Sequence, residues 1–187
     1  MTRSFLILHG WQGNTEDHWQ SDLSRRLTAR GETVAYPELP DADHPRLSAW
    51  LPALGDALAA LEGEPTVVAH SLGCLLWLHH LAGGGRQSRA LLVAPPSDTL
   101  PEPELASFFP APAAHPAHGS RLVCADDDPY CPGGAAERYG ASLGLPVDLI
   151  PGGAHLNPEA GYGPWPEVEE WCLGQASAVT SSRTAPG

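Results

Sequence analysis

The sequence predicts a doubly wound α/β fold, in which a mostly parallel sheet of about six strands carries helices on both faces. Short apolar runs alternate along the chain with amphipathic stretches, the order expected of repeated strand–helix units. The apolar runs are nearly continuous, as in strands that are covered on both faces. The chain has 187 residues, a length that fits one domain around one core.

The candidate strands end at glycine, proline or polar residues that mark turns. They cover residues 4–8, 33–36, 66–70, 90–94, 121–125 and 147–150. The amphipathic stretches predict helices at 17–30, 46–61, 72–81, 132–143 and 164–175. The proline- and alanine-rich segment 99–119 predicts an irregular excursion. We expect a single domain over 1–175 and a flexible tail over 176–187.

Charge and composition argue against several partners and chemistries. With 22 acidic and 10 basic residues the net charge is −12, which opposes binding to nucleic acid or to an anionic membrane. All ten basic residues are arginine, so no lysine is present for a Schiff base, a phosphate loop or a Ser–Lys dyad. The four cysteines form no C-x-x-C pair, and no apolar run approaches the roughly 20 residues of a membrane span. We therefore expect a reducing, cytoplasmic setting.

The string A-H-S-L-G at 69–73 joins a predicted strand to a predicted helix. A sharp turn of this kind exposes the central serine, and small residues two positions before and after it let the backbones pass closely. Ser71 is therefore a candidate nucleophile, with Ala69 where glycine is commoner. The alternative is that Ser71 only caps the following helix.

An acidic run and a histidine follow two later strands. Three aspartates at 126–128 come directly after one strand, where a carboxylate can orient and stabilise a catalytic imidazolium. The alternatives are an acidic turn or a divalent metal site, although the ligand spacing of a calcium loop is missing. His155 follows the next strand after two glycines and is a candidate base, with a structural or surface histidine as the alternative. Serine, acid and histidine follow one another in the order of α/β-hydrolases.

The string H-G-W-Q-G at 9–13 follows the first strand, where a donor for an oxyanion hole would arise. We expect the backbone N–H groups of Trp11 and Leu72 to form that hole, and Trp11 to lie at the entrance of the site. The alternative is a glycine-rich turn that leads to a helix. A dinucleotide fingerprint is poorly supported, because the string does not match G-x-G-x-x-G.

Together these strings resemble the compact bacterial and animal serine hydrolases that include the retinoblastoma-binding protein 9 type. The resemblance rests on H-G-W-Q-G at 9–13, W-L-P at 50–52, A-H-S-L-G at 69–73, D-D-P-x-x-P at 127–132 and G-A-H-L-N at 153–157. It implies a minimal α/β-hydrolase fold without a large cap domain and an enzyme that needs no cofactor or metal. It also selects Asp128 as the acid, because the family's acid directly precedes a proline. The segment 99–119 departs from the family in being poor in aromatic residues, which leaves the substrate open.

The sequence therefore predicts a serine hydrolase that cleaves small esters or amides through an acyl-enzyme on Ser71, with His155 as base and Asp128 as acid. The expected partner is a small-molecule substrate, with no nucleic acid and no membrane. Two other functions remain open from the sequence: a catalytically idle binding protein on the same scaffold, and an acyltransferase.

Overall fold

Six parallel strands form one sheet in the described part of the chain, residues 2–100 and 102–181 of a computed structural model. The strands are β1 (Ser4–Leu8), β2 (Thr33–Ala35), β3 (Thr66–His70), β4 (Ala90–Val93), β5 (Arg121–Ala125) and β6 (Val147–Ile150). Their order is β2-β1-β3-β4-β5-β6, and every neighbouring pair is parallel. This confirms the predicted doubly wound sheet. The strand order reverses between β1 and β3, a position at which such sheets bind ligands.

Helices cover both faces of the sheet, as predicted. They are α1 (Trp19–Ala29), α2 (Leu47–Ala59), α3 (Leu72–Ala82), α4 (Ala141–Leu143) and α5 (Pro166–Cys172). Helices α1 and α5 pack on one face, whereas α2, α3 and α4 pack on the other. Because side chains alternate along a strand, Phe5 and Ile7 of β1 enter the first layer and Leu6 and Leu8 enter the second.

Two of the helices are shorter than the sequence predicts. The predicted helix 132–143 begins only with a π-helical turn at Ala136–Gly140 and continues into α4. Gly133 and Gly134 have φ values of 88° and 86°, which a right-handed helix does not allow. The predicted helix 164–175 begins at Pro166, since proline favours the first helical turn, and it ends before Gly174, which has a φ of 72°.

Strand β6 lies at an edge of the sheet and is not covered on both faces. Leu149 is 51% exposed and Val147 is 36% exposed, so the expectation of two-sided burial is wrong for this strand. Val147 and Leu149 are two residues apart and so lie on one face of the strand, which is left exposed, whereas Ile150 on the other face is buried.

The excursion and the start of the predicted tail are both packed against the domain. A 3₁₀ helix at Pro103–Phe108 interrupts segment 99–119, and its buried Phe108 meets the Trp50 ring edge-on at 5.2 Å. Within the predicted tail, Val179 is 2% exposed and its N–H donates to Asp148 at 2.8 Å. Residues 182–187 lie outside the described residues, so the extent of a flexible tail stays a prediction. Of the helices in 2–100 and 102–181, none has the length and apolarity to cross a membrane.

Helix α3 begins in close contact with the end of β1, and only glycine fits at the contact. A Cβ added to Gly73 would lie 2.6 Å from the Leu8 carbonyl oxygen and 2.7 Å from that of His9. Both are backbone atoms, which a rotamer change cannot move out of the way. Gly73 therefore sets the distance between the β3–α3 turn and the residues after β1.

We expect Gly73→Ala to lower the free energy of unfolding by about 1–3 kcal/mol, because the backbones must separate. The matched control is Gly55→Ala in α2, where an added Cβ meets nothing within 4 Å. That control should raise the free energy of unfolding by about 0.5–1 kcal/mol, since alanine favours a helix. Urea unfolding of both variants checks the pair, and equal effects would contradict the steric account.

Candidate active site

Ser71 lies in the turn between β3 and α3 with strained backbone angles, φ 53° and ψ −124°. It precedes the first residue of α3, yet its side chain makes no capping hydrogen bond, so the alternative of a simple helix cap is not supported. A Cβ added to Gly10 would lie 2.8 Å from Ser71 Cβ, which shows how closely the turn approaches the loop after β1. Ala69 is accommodated within β3, where it pairs with Leu8 and is fully buried.

The structure brings Ser71, His155 and Asp128 together from the ends of three different strands. His155 Nε2 lies 3.0 Å from Ser71 Oγ, and His155 Nδ1 lies 3.0 Å from each carboxylate oxygen of Asp128. The Asp128 side chain is fully buried and also accepts the Tyr130 N–H at 2.9 Å. A carboxylate at Nδ1 favours the tautomer that carries its proton there, which leaves Nε2 free to accept the Ser71 proton.

The three aspartates of the acidic run have three separate partners. Asp126 Oδ1 accepts the N–H of Gly152 at 2.8 Å, and Asp127 Oδ1 accepts the N–H of Ala154 at 2.7 Å. The first two aspartates therefore tie the loop after β5 to the loop that carries His155, while Asp128 contacts the imidazole itself. The sequence predicted one functional carboxylate here and missed the bracing role of the other two.

The backbone on both sides of His155 is strained. Ala154 and Leu156 have φ values of 46° and 50°, a region that residues other than glycine seldom occupy. Such a conformation persists only where the surroundings hold it. Two hydrogen bonds hold this segment. From β3, His70 Nε2 donates to the His155 carbonyl at 2.9 Å, and from α1, Trp19 Nε1 donates to the Leu156 carbonyl at 2.8 Å.

Sequence reasoning missed His70 and Tyr130, both of which contact His155. The ring of His70 lies 4.9 Å from that of His155, and the ring of Tyr130 lies 4.3 Å from it. His70 directly precedes Ser71, and Tyr130 lies two residues after Asp128. Position next to a candidate catalytic residue was the signal available for both.

The two predicted oxyanion donors, Trp11 in the loop after β1 and Leu72 at the start of α3, line the same cleft as Ser71. The N–H of Leu72 is the first of α3 and has no acceptor within the helix. Trp11 lines the cleft, while the next N–H, that of Gln12, already donates to Ala42 at 2.8 Å. The Trp11 indole donates to the Asp43 carbonyl at 2.9 Å, which holds the loop in place. The roles of Trp11 and Leu72 as donors stay predictions.

His9 holds this loop through hydrogen bonds of both its ring nitrogens. Its Nδ1 donates to the Gly10 carbonyl at 2.7 Å, and its Nε2 accepts the Leu39 N–H at 3.0 Å. Burial lowers the pKa of His9, so the ring stays neutral with one fixed tautomer. His9 therefore contributes geometry and no charge to the site.

The cleft has a volume of about 390 Å³, a size suited to a small molecule. Ser71, His155, Trp11 and Leu72 all line it, together with His18 and Tyr130.

Two buried histidines beside the site make stability depend on pH. Burial, with a smaller contribution from His155, lowers the pKa of His18 to about 4 and that of His70 well below its usual range. In the unfolded chain a histidine has a pKa of about 6.5, so below that pH the unfolded state binds more protons. Stability is then lost as the pH falls from about 6.5 towards the folded pKa.

We expect the free energy of unfolding to fall between pH 6.5 and pH 4, with His18 contributing up to about 3 kcal/mol at the lower limit. Denaturant unfolding across this range measures the slope. The variant His18→Asn, which keeps a helix-capping side chain, should show a shallower slope. An identical slope in the variant and the wild type would contradict a neutral buried His18.

Comparison with known proteins gives a family and related folds. The family model described as "Serine hydrolase" matches residues 5–173. The curated relative "Putative hydrolase YdeN" of Bacillus subtilis (strain 168) is 26% identical over 177 residues, which cover 90% of this chain and 93% of the relative. The crystal structure of the B. subtilis ydeN gene product has a TM-score of 0.78 at 22% identity, covering 93% of this chain and 98% of that one.

A more distant fold relative is the monoacylglycerol lipase of Paleococcus ferrophilus, with a TM-score of 0.69 at 12% identity. It covers 94% of this chain and 96% of its own. The fold is thus that of an α/β-hydrolase, and residues 2–100 and 102–181 contain no large cap. Since the family model spans the sheet from β1 to the end of α5, this chain belongs to the serine hydrolase family.

Proposed function

We propose that this protein hydrolyses small esters or amides through an acyl-enzyme on Ser71, with His155 as general base and Asp128 as the orienting acid. The observation that supports this most directly is the chain of contacts from Ser71 Oγ to His155 Nε2, and from His155 Nδ1 to Asp128, each 3.0 Å long. These distances are within the range for proton transfer from a nucleophile to its base.

In the first half of the reaction, Ser71 Oγ attacks the substrate carbonyl carbon and His155 Nε2 accepts the hydroxyl proton. The negative charge that develops on the carbonyl oxygen is stabilised by the N–H groups of Trp11 and Leu72. The imidazolium of His155 is stabilised by the buried Asp128 carboxylate. When the carbon–oxygen or carbon–nitrogen bond breaks, His155 returns its proton to the leaving alcohol or amine.

In the second half, His155 takes a proton from water, whose oxygen attacks the acyl carbon. The second tetrahedral intermediate breaks its bond to Ser71 Oγ, which regains a proton from His155, and the acid is released. The bracing of the His155 loop by Asp127 and His70 serves both halves, because the same imidazole must face the serine first and the water later.

The size of the cleft favours small substrates, and the buried cysteines favour a reducing compartment. A volume of about 390 Å³ suits a short acyl or alcohol group. The strings around the site resemble those of the retinoblastoma-binding protein 9 type, and this resemblance supports a protein of that type within the serine hydrolase family. All four cysteines are buried free thiols, which agrees with a cytoplasmic setting.

We expect Ser71→Ala to lower kcat/KM for p-nitrophenyl acetate by about 10³-fold or more and to abolish labelling by a fluorophosphonate probe. Asp128→Asn should lower kcat by about 10⁴-fold, because the imidazole loses its orienting anion. Spectrophotometric rates and gel fluorescence measure the two effects.

Ser88→Ala provides the matched control. Ser88 is fully buried just before the amino end of β4, whereas Ser71 follows the carboxyl end of β3, and the Ser88 hydroxyl has no hydrogen-bond partner within the described residues. This control should keep both rate and labelling. Wild-type protein that resists the probe would instead favour an idle binding protein, and an active Ser71→Ala variant would exclude Ser71 as nucleophile.

A further inference from the structure

His18 is a buried histidine in the cleft that the mechanism does not use. It directly precedes α1, is only 4% exposed and lines the same cleft as Ser71. Its Nδ1 accepts the backbone N–H of Gln20 at 3.1 Å and so caps the first turn of α1. The ring is further packed against Trp19 at 5.4 Å and His70 at 5.0 Å.

This cap fixes which ring nitrogen carries the proton. An imidazole nitrogen that accepts a backbone N–H must offer its lone pair, so a neutral His18 carries its proton on Nε2. The pKa of His18 is lowered to about 4 by burial and by His155, with a smaller opposing effect of Asp17, so the ring is neutral at pH 7. The tautomer is therefore set by the fold before any substrate binds.

The Nε2–H has no hydrogen-bond partner among residues 2–100 and 102–181, although its ring is almost wholly buried. His18 lines the cleft, so the acceptor within reach of this N–H is one supplied by a molecule bound there. A fixed, unpaired donor on a rigid helix end is suited to recognise one acceptor atom of a bound molecule.

We propose that His18 determines specificity by donating its Nε2–H to a second oxygen of the substrate, one that is not part of the reacting ester or amide group. The preferred substrates are then esters or amides with an ether, hydroxyl or carbonyl oxygen near the scissile bond, on the acyl or the leaving side. The inference rests on the proposed function, because it concerns the cleft of Ser71. A substrate without that oxygen leaves the donor unpaired, which costs about 10-fold in kcat/KM.

Two isosteric substrate pairs test the proposal. On the acyl side, p-nitrophenyl methoxyacetate is compared with p-nitrophenyl butyrate. On the leaving side, 2-methoxyethyl acetate is compared with butyl acetate. Each pair differs by one ether oxygen in place of a methylene, and the ratio of kcat/KM within a pair is compared between variants so that intrinsic reactivity cancels.

Two substitutions separate the donor from the cap. His18→Asn keeps an acceptor where Nδ1 lies but has no atom where Nε2 lies. His18→Gln places an amide N–H near the Nε2 position and loses the cap. We expect the ether preference to fall about 10-fold in His18→Asn, chiefly through KM, and to return in part in His18→Gln. If His18→Asn melts well below the wild type, His18→Ser, which also caps a helix, takes its place.

An unchanged ratio for both pairs in a folded His18→Asn or His18→Ser variant would overturn the proposal, whereas a loss in either pair supports it and identifies the side of the substrate. The wild-type rates on butyl acetate and p-nitrophenyl butyrate report on the proposed function alone. If the wild type hydrolyses these plain esters and the ratio of kcat/KM is the same in the variants, the role of His18 is refuted and the proposed hydrolase function is retained.

Discussion

The close approach of the β3–α3 turn to the end of β1 is the constraint on which the site depends. Gly73 lets α3 begin against the carbonyl groups of Leu8 and His9, and Gly10 lets the loop after β1 pass beside Ser71. At this contact Ser71 has a positive φ, and its hydroxyl meets His155 and does not cap the helix that it precedes. Trp11 and Leu72, the predicted oxyanion donors, line the same cleft as Ser71. The close packing of α3 against the end of β1 and the position of Ser71 therefore both depend on these two glycines.

A second strained segment faces the first, and it is held by side chains. The residues on either side of His155 have positive φ values. The loop is held by N–H groups that donate to Asp126 and Asp127 and by carbonyl groups that accept from His70 and Trp19. These contacts come from β3, α1 and the loop after β5, so the imidazole is positioned by three elements. A substitution in any of them lets the ring move relative to Ser71, which under the proposed function alters catalysis without touching the substrate.

The sequence was sufficient to predict the sheet and to single out Ser71, Asp128 and His155, which the structure brings together, and the reason is physical. Parallel strands bring their carboxyl ends to one edge, so polar residues that follow apolar runs converge even when far apart in the chain. Among the aspartates, however, the choice of Asp128 depended on the family resemblance. The separate partners of the three aspartates could not be predicted from the sequence, because the side chains are identical. Each partner is set by the position of the backbone and of His155.

Other features could not be predicted because they depend on distances between elements. The apolar run of β6 gave no sign that the strand lies at an edge, and the glycines at 133–134 shortened a helix that composition favoured. His18 and His70 were two of nine histidines, and nothing local to either indicated its fixed tautomer. That property follows from which backbone group each ring nitrogen meets. Burial lowers the pKa of both rings and keeps them neutral, and the tautomer then decides which nitrogen donates.

The central claim, a covalent acyl intermediate on Ser71, is tested most directly by mass spectrometry of acid-quenched protein during turnover of p-nitrophenyl acetate. The account predicts one acetyl group on the peptide that contains Ser71, formed together with a burst of p-nitrophenol and absent from Ser71→Ala. Steady release of p-nitrophenol by the wild type with no burst and no acetylated peptide, at an equal rate in Ser71→Ala, would contradict it.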